Sequence, residues 1–331
     1  MQRKPLIVGV GAALVDLLLE ESDAFLSAVL IEHACQKGGM TMVDSPALEK
    51  ALKRSFSEPK VVPGGSACNT LVGIGHLGGQ ARMIGRVGQD AFAGHFISGL
   101  KQAGVEGHLK ESQAGITGRV LSVVTPDAQR TMFTHLGASA ELQPEDINEA
   151  SIAGSALLYL EGYLLFNRPV VEHLLAIAGK HLVPVALDLG SFQVVEICRP
   201  LLESLFARKQ VQIVLANEDE ARAFTGLGVS ESLEKFALLA DLAVVKQGEA
   251  GVLLARGSER LQVNAQLAKA IDTTGAGDLW AAGFLYGLNH GLSLENAAHL
   301  GCKVGAEVVQ ILGASIPVEG WNRIHAYREK L

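Results

Sequence analysis

Six short apolar runs, Leu6 to Ala12, Ala81 to Val87, Ala156 to Leu160, Leu182 to Leu187, Val211 to Ala216 and Leu242 to Lys246, alternate with stretches of helical periodicity, and this alternation restricts the possible folds most. Strands apolar at consecutive positions need cover on both faces, and a strand–helix–strand succession makes neighbouring strands parallel. The expected class is α/β: a doubly wound, mainly parallel sheet with helices on both faces. One region departs from the pattern. Thr117 to Thr125, the tripeptide Pro126-Asp127-Ala128, and Gln129 to His135 read as an antiparallel hairpin with no helix between its arms. Together with Leu14 to Leu19 and Met40 to Val43 it is expected to form a small sheet standing off the main one.

At 331 residues and 48% hydrophobic content the chain can build one large α/β domain, and no repeat, low-complexity tract or linker divides it. Ser45-Pro46 is expected to open a helix over 47–56, and Ser293 a long helix that Gly313 closes. A net charge of −7 without any long Lys/Arg run argues against a nucleic-acid surface. Cys35, Cys68, Cys198 and Cys302 lack metal or disulfide spacing, and the ten histidines show no metal pattern, which implies a reducing cytoplasm. The segment from Arg3-Lys4 through Val15 reads as a buried first strand, not a signal peptide, because Asp16 interrupts its apolar run. Glu161 breaks the longest membrane-like stretch, from Ile152 to Phe166, so no membrane span is expected.

The chemistry concentrates at Asp272-Thr273-Thr274-Gly275-Ala276-Gly277-Asp278, just before the apolar run Leu279 to Leu285. Its glycines let successive amides turn toward one point, and the following helix adds its unpaired amides and the positive end of its dipole. An anion is expected to sit on Gly275, Ala276 and Gly277 without any lysine, with Asp278 placed to take a proton from an alcohol. Taken alone, the segment also fits an ordinary helix start. Further upstream, Pro63-Gly64-Gly65-Ser66-Ala67-Cys68-Asn69 leads into a helix ending at Gly78-Gly79. Asn217-Glu218-Asp219-Glu220 follows a parallel strand at its carboxyl end, where ligands of open α/β sheets gather; an acidic helix start accounts for it equally.

These segments, in this order, resemble the ribokinase-like, or PfkB, family of sugar and nucleoside kinases. Residues 272 to 278 match every fixed position of its signature Asp-Thr-x-Gly-Ala-Gly-Asp, and residues 63 to 79 its Gly-Gly-x-x-x-Asn signature. The resemblance implies a kinase that transfers the γ-phosphoryl group of ATP to a primary hydroxyl of a small-molecule sugar or nucleoside, with Asp278 as base. It places Asp16, Gly64, Gly65, Asn69 and Glu161 on the substrate side, and Thr273, Thr274, Lys246 and Gly248 on the nucleotide side. Asn217 and Glu220 would hold Mg2+ largely through water. It implies a lid built from segments near 14–44 and 105–135, a monomer or a homodimer joined through that lid, and a monovalent cation, K+, near Gly313-Ala314-Ser315.

Lys37 to Asp44 and Thr125 to Met132 look most like bacterial members called adenosine kinases, so a nucleoside is the narrower expectation. Sugar kinases of ribokinase, fructokinase or ketodeoxygluconate kinase type, and a ligand-sensing relative without activity, are the alternatives. A dinucleotide oxidoreductase has no supporting fingerprint: Gly73-Ile74-Gly75-His76-Leu77-Gly78 ends a helical segment instead of opening one, and Gly9-Val10-Gly11 lacks the third glycine. The absence of any GxxxxGK[ST] loop removes the P-loop kinases.

Overall fold

The computed structural model describes residues 5–33, 37–127 and 129–331; Arg3, Lys4, Cys35 and Ala128, named above, lie outside them. Fourteen strands form two sheets in this described part. The strands are β1 (Leu6–Val10), β2 (Leu14–Glu20), β3 (Met40–Met42), β4 (Lys60–Gly64), β5 (Gln80–Val87), β6 (Val105–Glu111) and β7 (Gly118–Val124), then β8 (Arg130–His135), β9 (Leu157–Glu161), β10 (Val185–Asp188), β11 (Ile213–Asn217), β12 (Leu242–Lys246), β13 (Val252–Arg256) and β14 (Glu259–Val263). The α-helices are α1 (Asp23–His33), α2 (Ser45–Arg54), α3 (Ser66–His76), α4 (Ala91–Gln102), α5 (Arg168–Lys180) and α6 (Phe192–Ile197), followed by α7 (Arg199–Ala207), α8 (Glu218–Thr225), α9 (Val229–Leu239), α10 (Ala276–Asn289), α11 (Leu294–Val308) and α12 (Val318–Arg328).

The main sheet runs β14-β13-β12-β11-β10-β9-β1-β5-β6. From β12 to β6 every neighbouring pair is parallel, and β13 and β14 add an antiparallel edge. All six apolar runs of the sequence are strands of this sheet. Their continuous hydrophobicity reflects cover on two sides: Ile7, Tyr159, Ala186 and Leu215 join one core with α3, α10 and α11, while their neighbours Val8, Leu158, Leu187 and Val214 join the other with α5, α7, α8 and α9. After β1 the chain builds β5 and β6 on one side, then returns to lay β9 to β12 on the other. The strand order therefore reverses beside β1, the place where open α/β sheets form a crevice at their carboxyl ends.

The second sheet, β3-β8-β7-β2-β4, includes the anticipated hairpin β7/β8. Its strand β4 is not among the expected strands; Pro63 is accommodated since β4 is an edge strand paired only with β2. Residues 105–111, grouped with the lid on sequence grounds, instead form β6, the last strand of the main sheet, pairing in parallel with β5. The helix expected to reach Gly313 stops at Val308.

Helices α3 and α10 meet where Gly73 leaves no side chain between them: a Cβ there would stand 2.6 Å from Ala282 Cβ and 2.9 Å from Leu279 Cδ1. Gly73→Ala is expected to destabilise the protein by about 1–3 kcal/mol, the usual cost of overpacking, which outweighs the roughly 1 kcal/mol that alanine gains over glycine inside a helix. Denaturant titration reads this as a lower midpoint at unchanged slope; an unchanged or raised midpoint contradicts the tight helix contact.

Candidate active site

Asp278 lies in the first turn of α10, behind Gly275, whose φ of 67° sets the left-handed turn before the helix. Two side chains from the start of α3 reach its carboxylate. Ser66 Oγ donates to Oδ1 at 2.7 Å and Asn69 Nδ2 donates to Oδ2 at 2.9 Å. Burial raises the pKa of Asp278 and those two hydrogen bonds pull it back down. The acid is half-buried, so a ligand entering the crevice can meet it.

The turn ahead of α10 is shaped by Asp272. Its Oδ1 accepts from the amide and hydroxyl of Thr274, at 2.9 and 2.5 Å, and its Oδ2 accepts from the amide of Gly313 at 2.8 Å. Ala276, counted with the anion-holding amides on sequence grounds, donates its own amide to the Thr273 carbonyl at 3.1 Å. The amides of Gly277 and Asp278 precede any intrahelical acceptor. Both oxygens of Asp272 are committed to internal donors, so the K+ expectation at Gly313-Ala314-Ser315 rests on position alone.

Asp16 in β2 is buried with its carboxylate against Gly64, where any Cβ would overlap it. Desolvation lifts its pKa to about 6, opposed by the charge of Arg130 and reinforced by that of Asp278. Gly65, at φ 95°, starts α3. Asp16, Gly64, Gly65, Asn69 and Asp278 are thus brought to one place at the mouth between the two sheets.

Glu161, which the resemblance places on the substrate side, ends β9. It is 2% exposed, and it spends one oxygen on the amide of Ala12 and the other on the amide of Ala67, both at 2.8 Å. It joins the end of β9 to the loop after β1 and to the first turn of α3, and Gly11 has no Cβ because the carboxylate fills that space. Burial raises its pKa to about 7 despite the two amide bonds. What it does here is orient the helix start that carries Ser66 and Asn69.

At the carboxyl end of β11, Asn217 caps α8 and forms a reciprocal box with Glu220. Asn217 donates through N and Nδ2 to the Glu220 carboxylate, both at 2.8 Å, and Glu220 N donates back to Asn217 Oδ1 at 2.8 Å. Glu220 is buried, and desolvation with the nearby charge of Asp188 raises its pKa to about 7. Beside it, Lys246 Nζ donates to Asp188 Oδ2 at 2.7 Å in a pair whose side chains are 13% and 5% exposed. The same ammonium lies 3.2 Å from where a Cβ on Gly277 would be, so the turn ahead of α10 has a lysine at its edge. Gly248, at φ 53°, begins the tight turn between β12 and β13. Thr273 lends the turn its carbonyl.

Among the described residues no group of three or more His, Cys, Asp or Glu side chains could hold a metal ion directly. With both Glu220 oxygens already bonded to Asn217, these residues fit Mg2+ only through its water shell and the phosphates it accompanies. No helix of the described residues is long and apolar enough to cross a membrane.

Ser66, Asp188 and Asp272 complete the arrangement but were given no role from sequence. Asp188 carried a readable signal, an acid closing an apolar strand at its carboxyl end, the same signal that singled out Asn217. Nothing local marks Glu161 as a backbone clamp, because its partners lie 149 and 94 residues away.

The chain resembles known proteins along most of its length. The chain is 28% identical to the 5-dehydro-2-deoxygluconokinase of Bacillus velezensis, covering 82% of this chain and 87% of that protein, and 24% identical to the adenosine kinase of Saccharomyces cerevisiae, covering 95% and 97%. The solved structure of an adenosine kinase from Sinorhizobium meliloti superposes with a TM-score of 0.89 at 33% identity, covering 99% of this chain and 100% of the other. Residues 32–321 match the family described as pfkB family carbohydrate kinases, and the chain belongs to that family.

Proposed function

We propose that the protein is an ATP-dependent kinase that transfers the γ-phosphoryl group to a primary hydroxyl of a sugar or ribonucleoside, with the nucleoside placed first. The observation that carries this reading is the carboxylate of Asp278, held by Ser66 and Asn69 at the start of a helix whose Gly277 and Asp278 amides have no intrahelical acceptor. The relatives' names point both ways on the acceptor: one is an adenosine kinase, another a gluconate-derived sugar kinase. Likeness in the lid segments favours the nucleoside.

Asp278 accepts the proton of the attacking hydroxyl as its oxygen bonds to the γ-phosphorus and the bond from that phosphorus to the bridging oxygen breaks, releasing ADP. The amides of Gly275, Gly277 and Asp278, with the dipole of α10, stabilise the charge on the transferring group. Asp16, ionised above its pKa of about 6, accepts from acceptor hydroxyls, and Asn69 keeps its carbonyl oxygen for the same purpose. Asn217 and Glu220 would hold a hydrated magnesium ion through its water shell, and the ion would supply charge neutralisation for the nucleotide phosphates. The second sheet closes over the acceptor and excludes water from the transfer.

Three measurements test the reading. Asp278→Asn is expected to lower kcat by about 10²- to 10⁴-fold, the range of a general base, with nucleotide binding retained; near-normal turnover on a panel of sugars and nucleosides refutes the role. Gly277 has ordinary helical backbone angles, so Gly277→Ala should fold at least as stably as the native chain while turnover drops, because the new methyl intrudes beside the amides and Lys246. Equal turnover in that variant would remove the anion site from this turn. Ser66→Ala deletes one of the two donors that lower the Asp278 pKa. Since the base acts only when ionised, the acid limb of the kcat profile is expected to move to higher pH, and an unmoved limb means that some other group titrates.

A further inference from the structure

Lys246 has a position that its ion pair with Asp188 does not by itself explain. It ends β12, and its Nζ reaches past Asp188 to within 3.2 Å of the Cβ position of Gly277, at the first turn of α10. The groups that face it are acids from three different elements: Asp188 at the end of β10, Glu220 in α8 and Asp278 in α10. A phosphate donor approaching the Gly277 amides enters a region of carboxylates, and Lys246 is the cation that acts on Asp278 there.

We propose that Lys246 is a catalytic cation of the phosphoryl transfer: held toward the turn by Asp188, its ammonium contacts the oxygens of the transferring phosphoryl group alongside the amides of Gly277 and Asp278. This rests on the kinase reading above. The ammonium has three donors, of which Asp188 Oδ2 takes one, so contact with the phosphoryl oxygens requires no rupture of the ion pair. No bond to lysine forms or breaks. Its charge is fixed in advance where negative charge accumulates, which is how preorganised donors lower a barrier. Asp188 is a positioning residue in this scheme, keeping a long flexible side chain aimed at one point.

The competing account is that Lys246 only neutralises a buried aspartate. The two separate in a set of variants: Lys246→Met, Asp188→Asn, Lys246→Arg and the double variant Asp188→Asn/Lys246→Met. The double variant removes both charges together and so avoids stranding one of them, which is what makes a broken buried pair unfold a protein. Lys246→Met and the double variant are expected to lose about 10²- to 10³-fold in kcat, the scale of one transition-state donor, with the acceptor KM and the affinity for a non-hydrolysable ATP analogue changed only a few-fold. Asp188→Asn, which keeps the cation, should stay within about tenfold of the native kcat, and Lys246→Arg should recover part of the loss. Recovery of native turnover in the double variant overturns the proposal, since lysine is then needed only to neutralise Asp188. It is equally overturned if Asp188→Asn falls as far as Lys246→Met. Absence of phosphate transfer by the native protein to every sugar and nucleoside tried is a separate result: it refutes the kinase reading and this inference with it.

Discussion

The site depends on one buried carboxylate bonded to two backbone amides. Glu161 offers its two oxygens to two backbone amides, one in the loop where the chain leaves the main sheet and one in the first turn of α3. That fixes the direction in which α3 starts, and with it the positions of Ser66 and Asn69, which in turn hold Asp278. A carboxylate in such a place is costly unless bonded, and its elevated pKa records that the amides only partly compensate for lost water. Gly11 follows from the same requirement, because any side chain there would meet the carboxylate.

Around that clamp the fold gathers Asp16, Asp188, Glu220 and Asp278 at the carboxyl edge of a parallel sheet. Asp188 and Asp278 raise the proton affinity of Glu220, Asp188 raises that of Asp278, and Asp278 raises that of Asp16. Mutual repulsion of this kind gives any bound cation, whether a lysine side chain or a hydrated metal, a large local effect. The Lys246–Asp188 pair relieves part of it from within the chain.

The large sheet was legible because its strands carry their signature locally: both faces are apolar, so every residue in the run reports burial. Edge elements were not. Strand β6 has mostly exposed residues and strand β4 contains a proline, and each is defined by its partner more than by its composition. The same division holds within the site. Asp278 and the glycines before it could be read from seven contiguous residues, since the chemistry of an anion turn is set by backbone angles and the next helix. The clamp by Glu161, the donor from Ser66 and the reach of Lys246 to Gly277 depend on side chains whose partners are distant in the chain, and no periodicity encodes those distances.

Contacts that distant also govern when the site can exist during synthesis. Ser66 and Asn69 meet Asp278 across 212 and 209 positions. Until α10 has emerged from the ribosome, α3 carries an apolar face, notched at Gly73, that has nothing to close against. The nascent protein must carry that sticky surface through most of its translation, and a chain cut short before α10 has the main sheet's strands without the helix that covers them, a species suited to chaperone capture and to aggregation more than to partial activity.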